Sequence, residues 1–181
     1  MALKLYSKQN NGKYASTVSK WLDNMKKNHL TNSFNLIASF IVEDDEGDLH
    51  NFSKGSYTAL SCYYLTFIDE SFAQEQYNIF KSKYYKRFPM AGFKEYANKS
   101  PIVAFDIDAG PILFGLSPTG TAFGIGPATY FNDTKVRKKL LRTAERAGST
   151  VTINGKSHYL LANIAIVGEA ITLAMRTATP W

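Results

Sequence analysis

The sequence predicts a mainly α-helical fold, in which helical hairpins form a partial (α/α) toroid accompanied by one or two small β-hairpins. Two observations predict it. Nearly all-apolar helical segments alternate with charged, amphipathic ones, and a short turn separates the members of each pair. The alternation recurs roughly every 50 to 75 residues, a pattern typical of helical solenoids and toroids, whose inner helices line a core while loops at one rim carry function.

Composition indicates one globular domain over residues 1–181. With 45% hydrophobic and 20% charged residues, the chain is typical of soluble globular proteins and long enough to bury a core. The net charge is +6, and the basic residues form loose runs at 81–87 and 135–146. We interpret both runs as solvated helix faces and expect no nucleic-acid partner, because no base-reading module accompanies them.

Few residues suit metal, disulfide or cofactor chemistry. The single cysteine, Cys62, excludes an internal disulfide, and its apolar neighbours predict a small buried hydrophobe rather than a nucleophile. The three histidines are dispersed, and the glycine spacings match no nucleotide-binding loop. We therefore expect no metal and no cofactor. The histidines are His29, His50 and His158.

No segment predicts export or a membrane span. The N-terminus lacks an apolar core of signal-peptide length, and the most apolar run, 159–175, contains Glu169 and is too short to span a bilayer. From this chain alone the expected location is the cytoplasm. A fragment of a longer exported protein would look the same, which would place it in the periplasm or at the cell surface.

The first elements are a short extended lead-in at residues 3–6, a turn at 10–12 and an amphipathic helix at 15–28, where apolar residues recur at helical spacing. An apolar stretch at 35–42 and a second at 49–52 flank an acidic turn. This region is either an irregular hairpin or an extended loop. The acidic turn lacks the ligand spacing of an EF-hand.

Two helix pairs and a final helix account for most of the remainder. An inner helix is predicted at 57–68 and an outer one from Asp69 to about residue 87, with Asp69 in capping-box spacing. A second outer helix, 135–147, follows an Asp133-Thr134 cap and ends at Gly148. The dipeptide Asn154-Gly155 predicts a β-hairpin within 149–159, and 160–178 predicts a third inner helix.

The segment from Ala104 to Asn132 is the least ordinary stretch. Asp106 and Asp108 stand directly before a Gly-Pro. Pro111 suits the first turn of a helix, and Asp108 would lie at its positive end, so a helix is predicted to begin there. Five glycines fall within 110–126, each costing about 1 kcal/mol in a helix interior, which indicates tight packing against neighbours or a cavity.

Four segments carry a resemblance to a known family. The runs DIDAGPILFGLSPTGTAFGIG, GSYTALSCYYLTFIDESFAQEQY, LLRTAERAG and GEAITLAMRTATPW resemble the C-terminal half of uncharacterised bacterial (α/α) toroid proteins. Their architecture is similar to that of six-hairpin glycosidases and linalool dehydratase/isomerase. The likeness covers residues 21–181, and its most specific part is Asp-x-Asp-x-Gly-Pro.

The resemblance implies an incomplete ring. A full six-hairpin toroid needs about twice the six helices predicted here, and half a ring would expose the apolar edges of its inner helices. We therefore expect the chain to form a homo-oligomer, or to pair with a separate N-terminal-half chain or a missing N-terminal segment.

The acidic pair is the predicted catalytic site. Carboxylates at the N-terminal ends of inner helices face the funnel in toroid enzymes, and Asp106 and Asp108 could divide labour as acid and base, with Glu95 and Glu169 as companions. Inverting glycoside hydrolysis needs carboxyl groups about 6.5 to 9.5 Å apart, a spacing that residues two apart in an extended stretch permit. The alternative is that Asp108 is an N-cap and Asp106 anchors a loop.

Other side chains are candidates for ligand contacts. Arg176 could bind an anionic group or serve the helix terminus, and Tyr57 and Tyr96 could stack on sugar rings or pack in the core. The same choice applies to Tyr63, Tyr64 and Phe93. Ser117 lacks the strand-turn-helix setting of a serine-hydrolase nucleophile.

The predicted function is a carbohydrate-active, glycoside-hydrolase-like toroid domain that binds a small molecule or oligosaccharide in a cleft at Asp106 and Asp108. One alternative is a non-catalytic helical scaffold or binding module, with both aspartates used structurally. The other, lyase or isomerase chemistry on a hydrophobic alcohol, is implied by superfamily analogy only.

Overall fold

A computed structural model describes residues 1–31, 33–98, 101–159 and 162–179. Within these ranges the chain forms seven α-helices and four two-stranded antiparallel sheets. The helices are α1 (Ala2–Gln9), α2 (Ala15–Asn28), α3 (Gly55–Leu65), α4 (Glu70–Tyr84), α5 (Pro118–Tyr130), α6 (Thr134–Gly148) and α7 (Ala162–Arg176). The strand pairs are β1 (Phe40–Glu43) with β2 (Leu49–Phe52), β3 (Tyr85–Lys86) with β4 (Gly92–Phe93), β5 (Val103–Asp106) with β6 (Gly110–Leu113), and β7 (Thr150–Ile153) with β8 (Lys156–Tyr159).

The mainly helical prediction is confirmed, and so is the pairing of inner and outer helices. Helix α5 packs between α3 and α7, while α4 lies against α3 and α6 lies against α5. Helix α6 buries only Val136, Leu140 and Thr143 and turns its charged residues outward, as an amphipathic outer helix does. Small strand pairs are more numerous than the one or two expected.

The glycines of α5 permit close packing. The ring of Phe93 stacks on Phe80 with centroids 4.3 Å apart, and a Cβ on Gly124 would lie 2.5 Å from Cδ2 of Phe93. A Cβ on Gly120 would lie 3.1 Å from the carbonyl carbon of Gly55, where α5 crosses the start of α3. The expectation of tight packing therefore holds at these positions.

Local helix signals in the sequence are mostly correct. The carboxylates of Asp69 and Asp133 accept hydrogen bonds from Phe72 N (2.9 Å) and Val136 N (3.2 Å), which caps α4 and α6. Helix α2 has the predicted bounds. At the end of α6, however, the left-handed cap is Ser149 (φ 48°) and not Gly148, which is the last helical residue.

The helix predicted to begin at Pro111 is wrong. Residues 103–106 and 110–113 instead form the β5–β6 hairpin, in which Phe105 is opposite Pro111. Gly110 adopts φ +75°, which suits the turn better than a helix start. The helix begins at Pro118, where Ser117 Oγ accepts a hydrogen bond from Gly120 N at 2.9 Å. The same logic, Pro at the first turn after a cap, thus applies one proline later.

Three further segments resolve as follows. The extended lead-in at residues 3–6 is wrong, because these residues belong to α1 and have good helix-forming side chains. The open choice at 35–52 resolves to the β1–β2 hairpin. The Asn154-Gly155 hairpin is confirmed, with both residues at positive φ. Residues 160 and 161 of the last predicted helix lie outside the described residues.

Candidate functional site

Lys54 gathers the predicted carboxylates into one cluster. It occupies the N-cap position of α3, and its side chain is only 12% exposed. Its Nζ lies 2.8 Å from Asp106 Oδ2, 3.3 Å from Asp108 Oδ2 and 3.9 Å from Glu95 Oε1. Burial alone would lower the pKa of Lys54, but its contacts with the two aspartates raise that pKa above the usual lysine value. We call Lys54, Glu95, Tyr96, Asp106, Asp108 and Tyr57 the Lys54 cluster.

Both carboxylate oxygens of Asp106 are occupied. Oδ2 accepts hydrogen bonds from Lys54 Nζ and from Tyr96 OH, each at 2.8 Å, and Oδ1 accepts them from the N–H groups of Asp108 and Ala109, each at 3.0 Å. Burial raises the pKa of Asp106, but these donors together lower it to about 2. Asp106 is therefore a permanent anion that anchors a loop, as the structural alternative for this residue held. Asp108 caps no helix, so that half of the alternative is wrong.

Glu95 lies beneath this ion cluster, where the N-termini of α3 and α5 converge. Its fully buried carboxylate accepts hydrogen bonds from Ser56 N at 3.1 Å and Ser56 Oγ at 2.8 Å, and the Ser117 hydroxyl also binds it. Burial raises the pKa of Glu95, and these hydrogen bonds oppose the rise. Because Lys54 offers no side-chain cap to α3, Glu95 supplies one from a distant part of the chain.

Asp108 and Tyr57 form the solvent-facing edge of the Lys54 cluster. The Asp108 side chain is 43% exposed and Tyr57 is 42% exposed. A hydrogen bond between the Tyr57 hydroxyl and the Asp108 carboxylate is the main cause of a raised pKa for Tyr57. A ligand arriving from solvent would therefore meet these two side chains before any other member of the cluster.

The acidic pair does not have the spacing of an inverting glycosidase. At 2.8 and 3.3 Å from one ammonium nitrogen, the Oδ2 atoms of Asp106 and Asp108 lie at most about 6.1 Å apart, below the roughly 6.5 to 9.5 Å such enzymes need. Lys54 Nζ also occupies the position beside both oxygens, where a nucleophilic water would have to bind.

An apolar cavity of about 270 Å³ lies between α5, α6 and α7. Its polar atoms already have partners: Thr143 Oγ1 donates to Ala91 O at 2.6 Å, Thr172 Oγ1 donates to Gly168 O at 2.8 Å, and Thr121 Oγ1 accepts from Phe93 N at 3.1 Å. Other residues around it include Met90, Leu113, Leu116, Ser117, Ala122, Ala144 and Glu169.

The remaining predicted site residues lie apart from the Lys54 cluster. Glu169 borders the apolar cavity and, with Arg176, a second pocket beside β7 and β8, and no member of the cluster borders either. Arg176 is exposed at the end of α7, and its carbonyl accepts a hydrogen bond from Arg137 Nη2 at 3.3 Å. Ser117 is the buried N-cap of α5. Cys62 and Phe93 are fully buried.

The sequence analysis did not single out Lys54, the residue around which the site is built. The available signal was local: a lysine directly before a helix that has no capping side chain of its own. Among the residues that the structure describes, no group of three or more His, Cys, Asp or Glu side chains could hold a metal ion. None of the described helices has both the length and the apolar character needed to cross a bilayer.

No protein-family model matches the chain, and no curated protein is significantly similar to it. The resemblance to toroid proteins therefore stays a prediction.

Proposed function

We propose that this chain is a non-catalytic helical binding module whose ligand is a small, largely apolar molecule held between α5, α6 and α7. The observation that carries the proposal is the apolar cavity of about 270 Å³. Its threonine hydroxyls are engaged with backbone groups, so the surface offered to a ligand is mainly carbon. An apolar, concave site with few polar groups is the usual form of a small-molecule site.

The geometry of the acidic pair supports a structural role for it. General acid-base catalysis needs one carboxyl group that holds a proton and another that accepts one near the reacting bond. Asp106 is held as an anion by four donors, and Glu95 is the only neighbour with a raised pKa but has no exposed side-chain surface. Neither residue can reach a substrate in solvent without dismantling the Lys54 cluster.

Cavity filling tests the proposed site. We expect 1-octanol to bind saturably in titrations followed by protein NMR, with shifts in α5, α6 and α7. Ala144→Leu adds carbon to the cavity wall and should weaken binding at least fivefold. Ala174→Leu, the same change at an exposed position of α7 that does not border this cavity, should leave binding unchanged. Equal weakening in both variants, or no saturable binding by the unsubstituted chain, would refute the proposal.

A carbohydrate-active function is the second candidate, and one observation favours it. The partly exposed ring of Tyr57 stands beside the exposed carboxylate of Asp108, a pairing that could stack on a sugar ring and bind its hydroxyl groups. The same NMR titration with neutral oligosaccharides, repeated with Tyr57→Ala, tests this function. Oligosaccharide binding that disappears in the variant supports it, and release of reducing ends would add glycoside-hydrolase-like activity.

We also propose that α3, α5 and α7 are consecutive inner helices of a partial (α/α) toroid, with α4 and α6 outside them. The order of packing supports this: α5 lies between α3 and α7, and each outer helix covers the inner helix that precedes it. Leu173 on α7 is 63% exposed although the helix is largely apolar. An open inner edge would be covered by a second copy of the chain, which sedimentation at micromolar concentration can detect.

A further inference from the structure

A strongly basic pocket lies on the opposite side of the sequence pattern from the sites discussed so far. Its volume is about 390 Å³, and it is bordered by part of α6 and by the residues that follow α4. Both basic runs of the sequence contribute to it, although they are about 50 positions apart. The bordering residues are Tyr85, Arg87, Lys135, Val136, Lys138, Lys139 and Arg142.

Five cationic side chains converge there without local neutralisation. Lys135, Lys138, Lys139 and Arg142 recur at three- and four-residue intervals on α6, so they share one helix face. Arg87 joins them from the β3 side. Within the described part of the chain, none of the five forms an ion pair with a carboxylate. Like charges at this spacing repel each other on a helix, so a bound anion would relieve that repulsion.

The nearest acidic groups are committed elsewhere. Asp133 binds Lys81 Nζ at 2.7 Å, Tyr77 OH at 3.2 Å and Val136 N at 3.2 Å, so its charge is already compensated. Glu145, also on α6, borders a different pocket. The positive potential of the basic pocket is therefore not cancelled from within the chain.

Tyr85 adds a polar group that lacks a protein partner. Its hydroxyl is buried and has no hydrogen-bond partner among the described residues, although Tyr85 borders the pocket. A buried hydroxyl without a partner is costly, and an oxyanion in the pocket would supply an acceptor. The ring of Tyr85 and the buried Val136 side chain provide apolar surface for an organic group attached to that anion.

We propose that this pocket binds a small phosphorylated molecule or short polyphosphate carrying at least two negative charges. Five converging cations favour a multivalent anion over a single carboxylate, because each added charge gains from the same field. The pocket volume suits a compact ligand rather than a polymer that extends far beyond it. The site shares no bordering residue with the apolar cavity or the Lys54 cluster.

Calorimetric titration of the full chain with tripolyphosphate at 50 and 200 mM NaCl tests the proposal. We expect saturable binding that weakens at higher salt, since the contacts are ionic. The double variant Lys139→Gln/Arg142→Gln should raise the Kd at least tenfold. Lys20→Gln/Lys27→Gln, which removes the same charge from exposed positions of α2, should change it less than twofold.

Two further variants keep the test decisive. Arg87→Gln lies outside α6 and should raise the Kd about fivefold even if the double variant does not fold. Tyr85→Phe should raise it two- to fivefold without changing the salt dependence, because it removes only the hydroxyl. Absence of saturable binding, equal weakening in the α2 control, or tighter binding of a random-sequence oligonucleotide than of tripolyphosphate would each overturn the proposal.

Discussion

The Nζ of Lys54 lies 2.8 Å from Oδ2 of Asp106, and this ion pair joins the start of α3 to the turn of the β5–β6 hairpin. The two residues are 52 positions apart, and their side chains are only 12% and 14% exposed. An ion pair removed from water to this degree is strongly destabilising to break, because the remaining charge stays partly buried.

Lys54→Met should therefore lower the free energy of unfolding by about 3 kcal/mol, since Asp106 keeps its charge and loses its cation. The matched control is Lys26→Met, which breaks an ion pair of similar length, 2.9 Å to Asp69, whose side chains are 41% and 25% exposed. That control should cost less than about 1 kcal/mol. Urea unfolding measures both, and equal losses would contradict the assignment of Lys54 as the centre of the cluster.

The low pKa of Asp106 predicts a specific acid sensitivity. Its pKa is about 2 in the folded chain against an ordinary value of 3.8, so the unfolded chain takes up this proton first as pH falls. The stability contributed by Asp106 is complete above pH 3.8 and is lost as the pH falls through 2. Asp106→Asn should remove this part of the acid destabilisation and lower stability at neutral pH.

Unfolding midpoints measured from pH 2 to 7 test this prediction, with Asp108→Asn as the control. Asp108 is also bound to Lys54, but at 3.3 Å and with 43% of its side chain exposed. If the two variants showed the same stability profile, the special role assigned to Asp106 would be wrong.

The sequence predicted elements whose signals are local. Asp69 and Asp133 were identified as helix caps because a capping carboxylate acts within three residues, and Asn154-Gly155 predicted its hairpin because the turn itself needs positive φ. Pro111 failed for the same reason that Pro118 succeeds. A proline fixes φ at a value that suits either a helix start or a strand position that donates no hydrogen bond, and only the surrounding chain decides between them.

The site was predictable in its acids and not in its cation. Asp106, Asp108, Glu95, Tyr96 and Tyr57 were all singled out, yet nothing near Lys54 in the sequence shows that its partners come from the β5–β6 hairpin. Ion pairs between distant segments depend on how those segments fold against each other. For the same reason the two basic runs, which separately suggest solvated faces, gave no sign that they border one pocket.

The crossing of α3 and α5 predicts that one helical glycine cannot be replaced. Gly55 opens α3, and a Cβ there would overlap the carbonyl oxygen of Lys94, which is backbone and cannot rotate away. Gly55→Ala should therefore destabilise the fold by about 2 kcal/mol or more. Gly168→Ala is the control, because a Cβ there meets nothing within 4 Å and alanine is the better helix former.

Thermal unfolding of these two glycine variants should move in opposite directions. The Gly168→Ala variant is expected to gain up to about 1 kcal/mol of stability. A Gly55→Ala variant as stable as the unsubstituted chain would show that α3 and the Lys94 segment are not in close contact.

The β5–β6 hairpin predicts self-association. Val103, Phe105 and Ile107 are 72%, 77% and 91% exposed, an unusual amount of contiguous apolar surface for a chain that works as a monomer. If a second copy covers this surface, the double variant Phe105→Ser/Ile107→Ser should shift the chain toward monomer in sedimentation velocity at micromolar concentration. Leu49→Ser, at a 66% exposed position on β2, should not. A monomeric unsubstituted chain would rule out this pairing.

Glu95 predicts a pH dependence of opposite sign to that of Asp106. Burial raises its pKa above the ordinary 4.5, so the folded chain keeps a proton that the unfolded chain has already released. Stability contributed by the protonated form is therefore present below pH 4.5 and declines as the pH rises through the folded-state value. Glu95→Gln cannot ionise and should flatten that decline, although it loses one acceptor for the hydrogen bonds of Ser56.

Urea unfolding from pH 4 to 8 separates the two effects of the Glu95 substitution. Loss of a hydrogen bond shifts the whole curve downward, whereas loss of ionisation changes its slope. Glu75→Gln, at an exposed position of α4, controls for the removal of one carboxylate and should leave the slope unchanged. If Glu95→Gln kept the slope of the unsubstituted chain, the buried carboxyl group at the ends of α3 and α5 would not be the group that titrates, and the pKa assigned to Glu95 would be wrong.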